Sequence, residues 1–291
     1  MDIRAIGMGL LFAFIWSSAF TSARIIVADA SPVASLALRF LVSGLIGVAI
    51  ARAMGQTWNL TRDQWRATFV FGVCQNALYL GLNFVAMQWI EASLASIIAS
   101  SMPLMVAFAG WTLFREKLPA LGIIGMAAGF AGVILIMGSR MGEGVDPLGI
   151  GLCIIAAIGL TVATLMMRGA SSGGNVMMVV GLQMLVGSAV LTVCAILFED
   201  IHASITAPLI GAFIYTTLAP GLLATWIWFM LVQRIGAIRA ATFHFLNPFF
   251  GVAVAAVVLG EAMGLTDIIG VAIITVGILA VQLSKQNPTQ S

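Results

Sequence analysis

Charge is what this sequence has least of. Charged residues make up 8% of the chain and hydrophobic ones 61%, where a soluble domain carries roughly 25% charged residues. So large an apolar surplus cannot be hidden in a folded core, which excludes an ordinary soluble protein. Each of the 11 Asp and Glu residues falls at the end of an apolar run or between runs. A proton-coupled antiporter commonly carries its proton on an intramembrane acid, and that group is missing. Cys74, Cys153 and Cys194 stand singly in apolar runs, without the spacing of a zinc site or redox pair, so they read as packing residues and no metal is expected. Loops are too short for a soluble catalytic or nucleotide-binding module, no Walker sequence occurs, and no cofactor is implied. A net charge of +2 gives no basis for nucleic-acid binding.

What is present is a series of apolar runs of about 20 residues, the length that crosses a bilayer. Ten spans are expected, at 5–25, 32–51, 66–87, 92–114, 119–138, 147–167, 175–197, 207–231, 237–259 and 265–284. The first is read as a retained span rather than a signal peptide, because Arg24 interrupts the approach to a cleavage site and the apolar run is long. With ten spans, Arg4, Arg52, Arg62, Arg66, Arg115, Lys117, Arg168, Arg234, Arg239 and Lys285 fall on one side, and only Arg24 and Arg140 on the other. That asymmetry places both termini in the cytoplasm, and the lipid bilayer is the one certain partner. The expected fold is an all-α polytopic inner-membrane protein. Nothing in the pattern sets an oligomeric state, and a monomer is compatible with it.

The chain repeats itself. The segment from Pro103 to Glu116 returns 145 residues later as Pro248 to Glu261, and Ile90, Ala92, Ala95, Gly125 and Gly132 match Ile235, Ala237, Ala240, Gly270 and Gly277 in the same register. Leu38–Val42 (LRFLV) likewise matches LQMLV from Leu182. Two repeats of five spans each, 1–143 and 144–291, follow. Five is odd, so the second enters the membrane from the opposite side, related to the first by a pseudo-two-fold axis in the membrane plane. Pro103 and Pro248, and Pro220 in span eight, remove a backbone donor and are expected to kink their helices. Inverted repeats with interrupted helices at matching positions point to a transporter working by alternating access.

These residues also resemble a known group. WSSAF at Trp16–Phe20, LRF at Leu38–Phe40, the doubled P-x12-E and the glycine-rich fifth and tenth spans are similar to the drug/metabolite transporter superfamily, in particular its ten-helix EamA-type members. The resemblance covers essentially the whole chain. Within that superfamily the likeness is greatest to YddG-type exporters, which implies export of aromatic and other neutral amino acids.

Candidate substrate contacts follow from polar and aromatic residues inside spans. Asn76, Tyr79 and Asn83 share one helical face in span three, either as a cavity wall or as interhelical glue. Trp16 and Ser17 in span one, and Trp228 in span eight with Trp226 as its rival, offer stacking surfaces away from the interfacial belts. His244 and Asn247 precede the kink of span nine, His244 serving either as packing or as the one site able to titrate near neutral pH. Arg39 is the only charge well inside a span, with Gln183 as its repeat counterpart. It reads either as a cation that snorkels or binds freed carbonyls, or as a receptor for a substrate carboxylate.

The sequence therefore predicts a gradient-driven carrier for a small neutral or zwitterionic solute, an aromatic amino acid first, with nucleosides or cationic compounds as alternatives. A channel-like facilitator also fits inverted repeats. An enzyme is not expected: Ser17 and His244 lack an acid to orient the histidine.

Overall fold

The computed structural model describes residues 3–142, 144–166 and 175–286. Arg168, one of the cations assigned to one side, and residue 143, the boundary of the first repeat, lie outside the described residues, as does the side chain of Lys285. Among the described residues, ten helices are long and apolar enough to cross a membrane: α1 Ile3–Asp29, α2 Pro32–Ala53, α3 Arg62–Ala86, α4 Ala92–Leu113, α5 Ala120–Gly142, α6 Pro147–Met166, α7 Val176–Phe198, α8 Ala207–Ile235, α9 Arg239–Leu259 and α10 Leu265–Ser284. An even number of crossings leaves both ends of the chain on one side, the termini face. The other is the distal face.

Local chemistry sets several helix ends. Thr61 starts α3 with a capping box: its hydroxyl accepts from the Gln64 amide while the Gln64 side chain accepts from the Thr61 amide. Pro32 and Pro208 sit in the first turns of α2 and α8, where a proline's missing donor costs nothing. Arg115 and Gly260, matching positions of the two repeats, both take left-handed backbone, with φ of 54° and 69°. Each turns the chain just before the glutamate of its P-x12-E segment.

Four spans are interrupted, at repeat-related places. α4 breaks at Ser101, between Ala92–Ser100 and Met102–Leu113. α9 passes through a 3-10 turn, Phe243–Leu246, before Asn247–Leu259. In both, the proline then occupies the first turn of the second segment. α3 and α8 each widen into a π-helix, Gly72–Tyr79 and Thr217–Leu223, whose starts lie 145 residues apart (217 − 72). Pro220 accounts for the second, since it cannot donate to the Thr216 carbonyl. Nothing in the residues of α3 explains the first.

The repeats meet along two helix pairs, each joining a span to its own counterpart. In the α2–α7 pair, a Cβ added to Gly181 lies 2.7 Å from the Val48 amide nitrogen. In the α5–α10 pair, one added to Gly277 lies 2.6 Å from the Gly125 carbonyl and 2.7 Å from the Gly129 amide nitrogen. Lipid supplies no hydrophobic drive for helix association, so such backbone-close contacts and interhelical hydrogen bonds carry it. α2 and α7 also cap one another. Glu199, after α7, accepts from the Val33 and Ala34 amides at 2.9 and 2.8 Å. Gln56, after α2, accepts from the Met178 amide at 2.9 Å.

Candidate functional site

A cavity of about 430 Å3 lies between the two repeats, within the range of small-molecule sites. Its wall includes Gln64, Thr164 and Val176, at or near helix ends on the termini face, and on the distal side stops at Phe20, Arg39 and Leu80. A chamber of about 50 Å3 continues it toward the distal face, sharing Trp16, Phe20, Arg39, Tyr79 and Pro220 and reaching Ala23, Phe84 and Met87.

The interrupted helices build this space. Repeat-related positions contribute to it in pairs: Gln75 and Pro220, Asn76 and Gly221, Leu80 and Thr225, Ala99 and His244, Met102 and Asn247, and Arg39 and Gln183 all line the wall. One side is aromatic. The Phe12 ring packs 5.7 Å from Trp16, 4.9 Å from Trp228 and edge-on to His244 at 5.3 Å, and Trp228 lies 5.1 Å from His244. Asn247 and the His244 Nδ1 are 2.9 Å apart.

Arg39 is the only formal charge among the described lining residues. Its Nε donates to the Thr216 carbonyl at 3.3 Å, at the start of the π-helix that Pro220 imposes on α8. The neighbouring Ser43 hydroxyl donates to the Thr217 carbonyl at 3.4 Å. Its guanidinium also sits 4.9 Å above the Phe40 ring. Arg39 is buried and lines both the cavity and the deep chamber.

The distal end is closed by hydrogen bonds and ion pairs, most of them between the repeats. Both oxygens of Glu261, which follows α9, accept from the first amides of α4, Ala92 at 2.8 Å and Ser93 at 3.0 Å. A carboxylate there also suits the positive end of the helix dipole. Arg24 donates to the Met87 carbonyl. Arg140 binds Asp267 through Nη2 at 2.8 Å and Glu91 through Nη1 at 3.1 Å. Thr206 donates to Asp29, and Ser31 to the Asp200 carbonyl at 3.0 Å.

Among the residues singled out in the sequence, Trp16, Ser17, Asn76, Tyr79, Trp228, His244 and Asn247 line the cavity, with Pro103, Pro220, Arg39 and Gln183. Asn83 lines only the deep chamber. The π-helix breaks the single face expected for Asn76, Tyr79 and Asn83. Both amides serve as glue: Asn76 donates to the Gln183 carbonyl at 2.9 Å, and Asn83 donates to the Tyr79 carbonyl at 2.7 Å while accepting from Cys153 at 3.3 Å. Pro248 is buried outside the wall. Trp226 is 50% exposed on the outer surface, leaving Trp228 as the inward tryptophan. The sequence reading missed Phe12, Gln64, Gln75 and Ser100 in the wall, and the capping role of Glu261. Phe12 had a signal, since it stands one helical turn before Trp16.

The geometry is that of a membrane transporter: ten spans, inverted repeats and a central cavity closed at one end by contacts between the repeats. The chain belongs to the EamA-like transporter family, which it matches over residues 3–138 and again over 147–283. It is 25% identical to the uncharacterized transporter YvbV of Bacillus subtilis, covering 95% of this chain and 92% of that one. It is 24% identical to the uncharacterized inner membrane transporter YedA of Escherichia coli K12, over 95% and 90%. Protein PecM of Dickeya dadantii is 20% identical, over 93% and 91%. A protein of known crystal structure shares the fold, with a TM-score of 0.69 and 19% identity over 97% of this chain and 98% of its own.

Proposed function

We propose that this transporter exports small neutral or zwitterionic metabolites, aromatic amino acids foremost, by rocking one repeat against the other around the central cavity. The observation that carries the reading is the composition of that cavity: Trp16, Tyr79 and Trp228 for an aromatic body, amides and one guanidinium for polar ends, and no lysine or acid among the described lining residues. Nucleotide-like solutes call for several basic groups, which argues against them. The reading places the protein in the inner membrane with both termini cytoplasmic, and takes solute gradients as the energy source, since no acid stands among the described lining residues. A monomer contains the whole site. The closed distal end favours a carrier over an open channel.

The test is counterflow of radiolabelled tryptophan into proteoliposomes at symmetric pH, with unlabelled amino acids, nucleosides or a cationic drug inside. Uptake driven by internal tryptophan or phenylalanine supports the reading; exchange with a nucleoside or drug alone keeps the family and overturns the substrate. His244→Ala separates a proton site from a packing group. If the variant's transport still follows an imposed pH gradient, the histidine carries no coupled proton.

A further inference from the structure

The two arginines buried among the described residues are treated differently. Arg140, near the distal face, is matched by Asp267 and Glu91. Arg39, seven residues into α2 and so about 10 Å from its distal end, is paired with no carboxylate among the described residues, and its one hydrogen bond runs from Nε to a neutral carbonyl. A central charge is costly even on permissive insertion scales. One carbonyl leaves the two terminal nitrogens of the fork, which match a carboxylate in shape and spacing, without a partner.

Their surroundings say what would fill the gap. The chamber around Arg39 is walled by Trp16, Phe20 and Tyr79, and it opens into the larger cavity through residues common to both. Next to Trp16, Ser17 is 1% exposed, and its hydroxyl has no hydrogen-bond partner although it lines the cavity. The Asn247 carbonyl oxygen is likewise unpartnered. A cation, an aromatic collar and two orphaned polar atoms thus converge on one space. An acid that would hold an ammonium group is missing from the described wall.

We propose that Arg39 is the carboxylate anchor of this carrier, and that its substrates are aromatic monocarboxylates bound acid group first, the α-amino group being dispensable. This rests on the amino acid reading above and widens it to deaminated aromatic acids. The carboxylate neutralises Arg39, the ring lies against Trp16, Phe20 and Tyr79, and an amino group, when present, meets only neutral acceptors.

Binding of radiolabelled tryptophan and indole-3-propionate to the full-length protein in nanodiscs, with tryptophanamide and indole-3-propionamide as competitors, tests it. Both acids are expected to bind, the amides at least about tenfold more weakly, as for loss of a charge-assisted pair. Arg39→Gln should remove the preference for acid over amide, with Arg39→Lys restoring part of it. That preference is a readout a merely structural role would not move, and in the unmutated protein it does not depend on either variant folding. Equal binding of tryptophan and its amide overturns the anchor while leaving the amino acid carrier standing. Binding of tryptophan but not indole-3-propionate overturns the dispensable amino group. Absence of binding by either acid overturns the amino acid reading and the anchor with it.

Discussion

Consider replacing Glu261 by glutamine. In the structure its two oxygens take the first two amides of α4, at 2.8 and 3.0 Å, joining the end of α9 to the start of α4. Both helices line the cavity, through His244 and Asn247 on one and Ser96 and Pro103 on the other. To open the cavity toward the distal face, the two must part there. Glutamine keeps the size and one acceptor oxygen but turns an amide donor toward the second backbone donor, and it removes the charge favoured by the helix dipole. A hydrogen bond to a charged group contributes about 1.5–3 kcal/mol, and loss of a helix cap about 0.5–2 kcal/mol. A combined loss of about 2 kcal/mol raises the distal-open population roughly 30-fold, at 1.36 kcal/mol per factor of ten.

The assay is labelling of Ala23→Cys by a membrane-impermeant maleimide added from the distal side, with Cys74 and Cys194 replaced by serine. Ala23 is 1% exposed and lines the deep chamber, so it reacts only when the distal face opens. Glu261→Gln should speed labelling by roughly the factor above. Glu199→Gln is the control. Its cap on α2 is answered by Gln56 capping α7 at the other face, so that pair holds as a unit, and the variant should lose thermal stability without gaining reactivity. Unchanged labelling in a monodisperse Glu261→Gln protein, or an equal increase from Glu199→Gln, would refute the assignment of the gate to α4 and α9.

Three further outcomes are expected. Gly277→Ala should destabilise the detergent-solubilised protein by about 1–3 kcal/mol in thermal unfolding, because its Cβ would meet the backbone of Gly125 and Gly129. Gly138→Ala, in α5, should cost far less, since nothing lies within 4 Å of its added Cβ. Arg140→Gln leaves Asp267 and Glu91 without their cation and should lower stability by about 3–5 kcal/mol, read as a drop in Tm. Trp228→Ala should weaken tryptophan binding about tenfold through loss of its ring contacts, whereas Trp226→Ala, on the outer surface, should stay within about twofold.

Much of the fold was legible because a bilayer reads the same things a hydropathy scan does: length and lack of charge. Two of the misplaced ends are ones where polar residues are satisfied by tertiary partners. The span expected at 5–25 runs on to Asp29, past Arg24, because the Met87 carbonyl receives that guanidinium. The span expected to end at 138 continues to Gly142 because Arg140 finds Asp267. The start of α3 was within reach, since Thr61 and Gln64 stand at capping-box spacing. The π-helices were half legible. Pro220 announces a break in α8, but Gly72–Tyr79 contains no proline, and its extra residue per turn shifts Asn76 and Tyr79 relative to Asn83 in a way no 3.6-residue pattern foretells. Nor does the sequence name the partner of Glu261: both ends of that bond are in it, 169 residues apart, with nothing local to join them.

The internal repeat separates what builds the cavity from what gives it chemistry. Scaffold features recur: π-helix with π-helix, break with break, Pro103 with Pro248, Gly125 with Gly270. The matched wall positions do not. Arg39 corresponds to Gln183, Asn76 to Gly221, His244 to Ala99, and Asn247 to Met102. A pseudo-two-fold cavity with matching walls would hold a solute equally well in two orientations, whereas these unlike pairs leave one. The cation lies toward α2 and the distal end, and the aromatic cluster of Phe12, Trp16, Trp228 and His244 lies along α1, α8 and α9. In the proposed alternating access, rocking about the repeat axis would change which face the cavity meets but leave this order of groups intact. A solute with one anionic end and one aromatic end therefore keeps its orientation through the cycle, and exchanging Arg39 and Gln183 between repeats should turn it around rather than abolish binding.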